Sequence, residues 1–75
     1  MNVTVVASTT LATVAYDDAG EILRLEFRSR AVYQYFRVPA EVHEGLLRAA
    51  SKGKYFNGEI RGRFRHARVA KAGGS

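Results

Sequence analysis

The chain's single proline, Pro39, separates two kinds of hydrophobic periodicity. Before it, Glu21-Ile-Leu-Arg-Leu-Glu-Phe-Arg28 alternates, with Leu23, Leu25 and Phe27 on one side and Arg24, Glu26 and Arg28 on the other. That is the period of a strand buried on one face. After it, Val42, Leu46, Ala49 and Ala50 recur at the spacing of one helical stripe. A sheet therefore comes first and helices second, and each needs the other's apolar side to cover its own.

The flanking residues extend this pattern. Leu11-Ala-Thr-Val-Ala-Tyr16 has strand composition and ends at Asp17-Asp18-Ala19-Gly20, four turn formers. A short break at Ser29-Arg30 leads to the aromatic and β-branched run Ala31–Val38. Pro39 suits the start of a helix, where a missing N–H costs nothing, and Glu41 and Glu44 suit its first turn. Gly53 is placed to cap the C-terminus of that helix. A shorter helix follows over Tyr55–Arg61, with Phe56 and Ile60 one turn apart, and Phe64 and Val69 dock the remaining chain. The expected architecture is α+β: a three-stranded antiparallel meander followed by two helices packed on one face, β-β-β-α-α. It forms a single domain over residues 1–70, with a disordered tail at 71–75.

Size and composition exclude several function classes. A chain of 75 residues buries only about 60% of the surface its unfolded form exposes, so stability is marginal, and it has no second domain to wall a deep catalytic pocket. The absence of cysteine excludes disulfides and thiolate metal sites. His43 and His66 are the only histidines and lack ligand spacing, so neither a metal nor a cofactor is expected. No serine sits in a nucleophile elbow, and no pair of carboxylates has the setting of an acid/base couple. Ser51-Lys-Gly-Lys54 resembles part of a phosphate-binding loop, but Arg48 and Tyr55 stand where the loop needs glycine and a hydroxyl on a short side chain. The chain is therefore read as non-catalytic. Val3–Ala15 lacks the positive flank of a signal peptide and carries four threonines and a serine, which suits a strand better. With no apolar run of membrane-spanning length, a cytoplasmic location is the simplest expectation.

Charge is unevenly distributed. Residues 1–47 carry four basic and six acidic side chains; residues 48–75 carry eight basic and one acidic, Glu59. The surplus thus belongs to the C-terminal part. Were residues 61–66 extended, Arg61, Arg63 and Arg65 would share a face; were they helical, Arg61, Arg65 and Arg68 would. With Lys52 and Lys54 nearby, either geometry makes a candidate phosphate-binding surface, against the simpler view that such a charge serves solubility.

Tyr33 and Tyr35, two apart on the third strand, project from one face of the sheet. Exposed, and rimmed by Arg37, they would form a stacking platform for unpaired bases. A two-residue loop pairs Phe27 with Val32 and turns them to the polar face. A three-residue loop pairs Phe27 with Tyr33 and Leu25 with Tyr35, turning them to the core. Gln34 would be an awkward core residue, which favours the second register.

Val32-Tyr-Gln-Tyr-Phe36 with Val38-Pro39, and Ser51-Lys-Gly-Lys-Tyr-Phe-Asn57 with Ile60-Arg61, resemble the two motif blocks of the KTSC domain family. The turn at Tyr16-Asp17 and the strand Leu23-x-Leu-x-Phe27 are similar too, so the resemblance spans roughly Val6 to Val69. It maps onto Tyr33, Tyr35, Gly53, Lys54, Tyr55, Phe56, Asn57 and Arg61. Arg30-Ala31 departs from it where a glycine is common, and Phe64-Arg65-His66 where an aromatic-Pro-aromatic segment is common. The family takes its name from a domain at the C-terminus of some lysyl-tRNA synthetases and also occurs as single-domain proteins. That association implies RNA as a partner, with tRNA the obvious class.

The resulting expectation is a small binding module that contacts RNA through a basic C-terminal surface. Lys52, Lys54, Arg61, Arg63, Arg65 and Arg68 would contact phosphates, and Tyr55 and Asn57 would add local contacts. The alternative is a protein-interaction adapter that docks on an acidic partner or pairs through a strand edge. Either would be a monomer or a weak homodimer.

Overall fold

The computed structural model describes residues 2–69; the expected tail at 71–75 lies outside them. The chain runs β1 (Asn2–Val5), β2 (Leu11–Asp17), β3 (Ile22–Phe27), β4 (Val32–Tyr35), α1 (Ala40–Arg48), α2 (Lys52–Tyr55), a π-helical turn (Phe56–Ile60) and β5 (His66–Val69). The fold is α+β, as expected, but its antiparallel sheet has five strands in the order β1-β2-β3-β4-β5 rather than three. The two additional strands are its edges.

β1 and β2 arise from one β-branched stretch that Ser8 divides. Its Oγ accepts hydrogen bonds from the backbone N–H groups of Thr10 and Leu11, at 3.0 and 3.1 Å, and this local satisfaction competes with the ladder and turns the chain. Arg28 braces the turn, donating from Nε to the Ser8 carbonyl at 2.9 Å. β5 follows the helices and returns beside β4.

Arg28-Ser29-Arg30 form a three-residue loop between Phe27 and Ala31, which leads into β4. Phe27 N–H donates to the Ala31 carbonyl and Arg30 N–H to the Phe27 carbonyl, both at 2.9 Å. Tyr33 pairs with Leu25 and Tyr35 with Leu23. This is two residues away from the favoured expected register, and with a period of two the face is the same. Both tyrosines thus lie on the side of Leu23 and Leu25.

Helices cover that side. Leu11, Val14, Leu23, Leu25, Val38, Leu46 and Ile60 are fully buried, and Phe56 and Tyr35 are nearly so. Each such aliphatic side chain contributes roughly 1.5–3 kcal/mol of burial. The Tyr16 hydroxyl donates to the Val38 carbonyl at 2.5 Å and its ring stacks on His43, tying β2 to α1. α1 ends at Ala49, earlier than a Gly53 cap would place it. The chain is already committed to a second start at Ser51, whose side chain accepts from Lys54 N–H and caps α2. Gly53 therefore sits inside α2, against Thr10. The opposite side of the sheet has no helical cover among the described residues, and Val3 and Val5 are exposed there.

Candidate nucleic-acid interface

Helical cover gives out toward β4 and β5. In the π turn, Arg61 N–H donates to the Phe56 carbonyl at 2.8 Å, closing a ring one residue wider than an α-helical turn. The wider turn keeps both Phe56 and Ile60 buried and sets Arg61 beside Phe56. Gly62 then adopts φ +76°, a conformation open to glycine without a Cβ penalty, and the chain reverses into β5.

A cleft of about 430 Å³ opens at this place, lined by Phe27, Ser29, Ala31, Tyr33, Tyr35, Phe56, Arg61, Gly62 and His66. Its rings are interlocked. Phe56 meets Phe27 and Tyr35 edge-on, with centroids 5.2 and 5.8 Å apart. His66 stacks on Tyr35 at 5.4 Å and meets Tyr33 edge-on at 5.9 Å. The Arg68 guanidinium lies 5.9 Å from the Tyr33 ring centroid, within cation–π range. Burial pushes the Tyr35 phenol above its ordinary pKa, Tyr33 adds to this, and Arg61 opposes it.

A second cleft, of about 470 Å³, lies between Phe36, Arg37, Arg63, Phe64 and Arg65. Phe36 N–H donates to the Arg65 carbonyl at 2.9 Å, joining its two sides. Among the described residues, no acidic side chain lines either cleft.

The residues expected from sequence thus fall into distinct places. Arg61 and Arg68 border the aromatic cleft, while Arg63 and Arg65 line the second one. Neither arrangement anticipated for the arginines occurs, because the turn at Gly62 separates Arg61 from Arg63. Lys54 and Asn57 are exposed on the helical segment. Lys52 lies apart, its Nζ donating to the Ala49 carbonyl at 3.0 Å, by a groove formed with Ala7, Ser8, Thr9 and Arg28. Tyr55 rests against Gly45 of α1, so its ring joins the two helices. Tyr33 is half-buried and Tyr35 buried; they form neither an open platform nor a sealed core, but the wall of a cleft. His66 and Phe27 do not stand out as site residues in the sequence. The signal for them there is that Phe27 shares the face of the tyrosines and that His66 lies in an extended, arginine-rich segment. Among the described residues, no group of three His, Cys, Asp or Glu is placed to hold a metal ion, and no helix is long and apolar enough to cross a membrane.

Comparison with known proteins places these features in a family. A KTSC domain protein from Yersinia pestis has a crystal structure similar to this one, with a TM-score of 0.89 and 32% identity over 92% of this chain and 97% of that one. A protein of Tsukamurella paurometabola is 43% identical over 60 residues, covering 80% of this chain and 90% of the relative. A lysine–tRNA ligase of Trichormus variabilis is 42% identical over 55 residues. That match covers 73% of this chain but only 10% of the ligase. The family model described as the KTSC domain matches residues 7–64. The chain belongs to the KTSC domain family.

Proposed function

We propose that this chain is a non-catalytic RNA-binding module that holds phosphates along the β4–β5 edge of its sheet. The observation that carries this reading is the gathering of Arg37, Arg61, Arg63, Arg65 and Arg68 around two clefts that no carboxylate of the described residues lines. All five are exposed. Guanidinium groups so placed recognise phosphodiesters in pairs of hydrogen bonds, which supply affinity and little sequence information. The segment akin to this chain within a lysine–tRNA ligase supports structured RNA such as tRNA as the substrate class. Lys52 lies by the groove of Ser8 and Arg28 and Lys54 lines neither cleft, so in this reading both add to the general field.

The test is an R63A/R65A/R68A variant, checked for folding by circular dichroism and titrated with single-stranded RNA at several salt concentrations. The variant should flatten the log–log salt dependence by about 0.7 for each phosphate it no longer neutralises. A variant that binds with the wild-type slope contradicts the assignment.

A second reading, the protein adapter, draws on β1. Its residues Asn2–Val5 are all exposed, and this uncharged edge leaves N–H and C=O groups free for a partner strand. Under that reading, a V3K/V5K variant loses a protein partner in pull-downs while RNA affinity is low from the start.

A further inference from the structure

The aromatic cleft has a ligand chemistry of its own. Phe27, Tyr33, Tyr35 and Phe56 meet edge to face around it, and His66 forms its outer ring. Its volume of about 430 Å³ lies within the usual range for small-ligand sites, about 300–1,000 Å³. Flat rings on several sides suit a flat aromatic occupant, which gains stacking and edge contacts that an aliphatic chain cannot. Arg61 at the wall and Arg68 over Tyr33 add positive charge on two sides, so the occupant is a ring that carries an anion. We infer that the cleft takes one unpaired nucleobase of a bound RNA, with Arg61 and Arg68 on the phosphates flanking it.

This rests on the RNA-binding reading and sharpens it. A base inside a duplex is stacked and paired, so it is unable to enter the cleft without being extruded. The module therefore distinguishes looped or single-stranded RNA from a duplex of equal charge. The arginines of the second cleft make no such distinction.

The experiment uses an RNA hairpin with one 2-aminopurine in its loop and a fully paired duplex of matched length. The hairpin is titrated with the full chain at low salt while 2-aminopurine fluorescence is followed, and the affinity of each RNA is read from its competition with a labelled single strand. The expected result is quenching of the loop fluorophore and a preference for the hairpin of about tenfold, the order of one stacked base. Tyr33→Leu, which keeps apolar volume, and His66→Ala, which alters an exposed ring, should each bring that preference toward unity. Arg63→Ala with Arg65→Ala should weaken both RNAs and keep the preference. Equal affinity for the two RNAs, or no quenching, overturns the base site while the phosphate-binding reading stands. Binding to neither RNA overturns both.

Discussion

Arg30 and Arg37 hold left-handed backbone, at φ +74° and +58°, a region where a side chain costs roughly 1–2 kcal/mol. Arg30 ends the three-residue hairpin loop, the position where such loops favour glycine. Its substitution by glycine should stabilise the domain by about 1 kcal/mol, offset in part by the freer unfolded chain, as read from the urea midpoint. A midpoint that falls would show that the guanidinium makes a compensating contact. Arg37 stands at the bend after β4 and lines the second cleft, so the strain there accompanies a side chain in the proposed interface. Tyrosines supply a pH signature. Burial, followed by the carboxylates of Glu21, Asp18, Glu41 and Asp17, raises the pKa of Tyr16, and burial with Tyr33 raises that of Tyr35. Both groups therefore favour the neutral form in the native state more than in the unfolded chain. Their contribution is fully present below the unfolded tyrosine value of about 10 and is lost as pH rises above it. The urea midpoint should hold to about pH 10 and then decline, with a shallower decline in Tyr16→Phe. A midpoint that rises in that range contradicts the burial of these phenols.

The helices are held together by a close approach that the sequence conceals. Gly45 lies in the middle of α1, where alanine would ordinarily be preferred by about 1 kcal/mol. Here a Cβ would collide with the Tyr55 phenol. Gly45→Ala should therefore destabilise by about 1–3 kcal/mol, as overpacking does, and adding Tyr55→Leu should recover part of the stability. Measured midpoints of the single and double variants decide it: a stabilising single variant places Tyr55 elsewhere. Periodicity revealed the central strands and α1, because Leu23, Leu25, Phe27 and Leu46 are all buried or partly buried on one continuous face. The edge strands were less legible for a physical reason. β5, His66-Ala-Arg-Val69, is almost wholly exposed, and β1 is exposed throughout, so neither shows the apolar alternation that burial on one face imposes. The π turn was hidden for a similar reason. Phe56 and Ile60 suggested an ordinary helical turn, and only the Arg61-to-Phe56 hydrogen bond shows it to be wider. The candidate site suffered most, because Tyr33, Phe56 and His66 come together only after β5 closes the sheet.

Over the whole molecule, one body separates two surfaces of different character. β1 and the open face of the sheet present Val3 and Val5, while the opposite edge gathers arginines around aromatic clefts. Under the proposed function, the net charge of +5 would supply long-range attraction for RNA, and the arginines at β4 and β5 would set where it rests. In this chain the helical segment reaches β4, where Phe56 packs on Tyr35, and leaves β5 almost wholly exposed. The most direct measurement is a titration of single-stranded RNA with the wild-type chain from low to physiological salt. Five arginines on five phosphates, at about 0.7 each, predict a log–log slope near −3.5. A slope near zero, or no binding at low salt, would contradict the account.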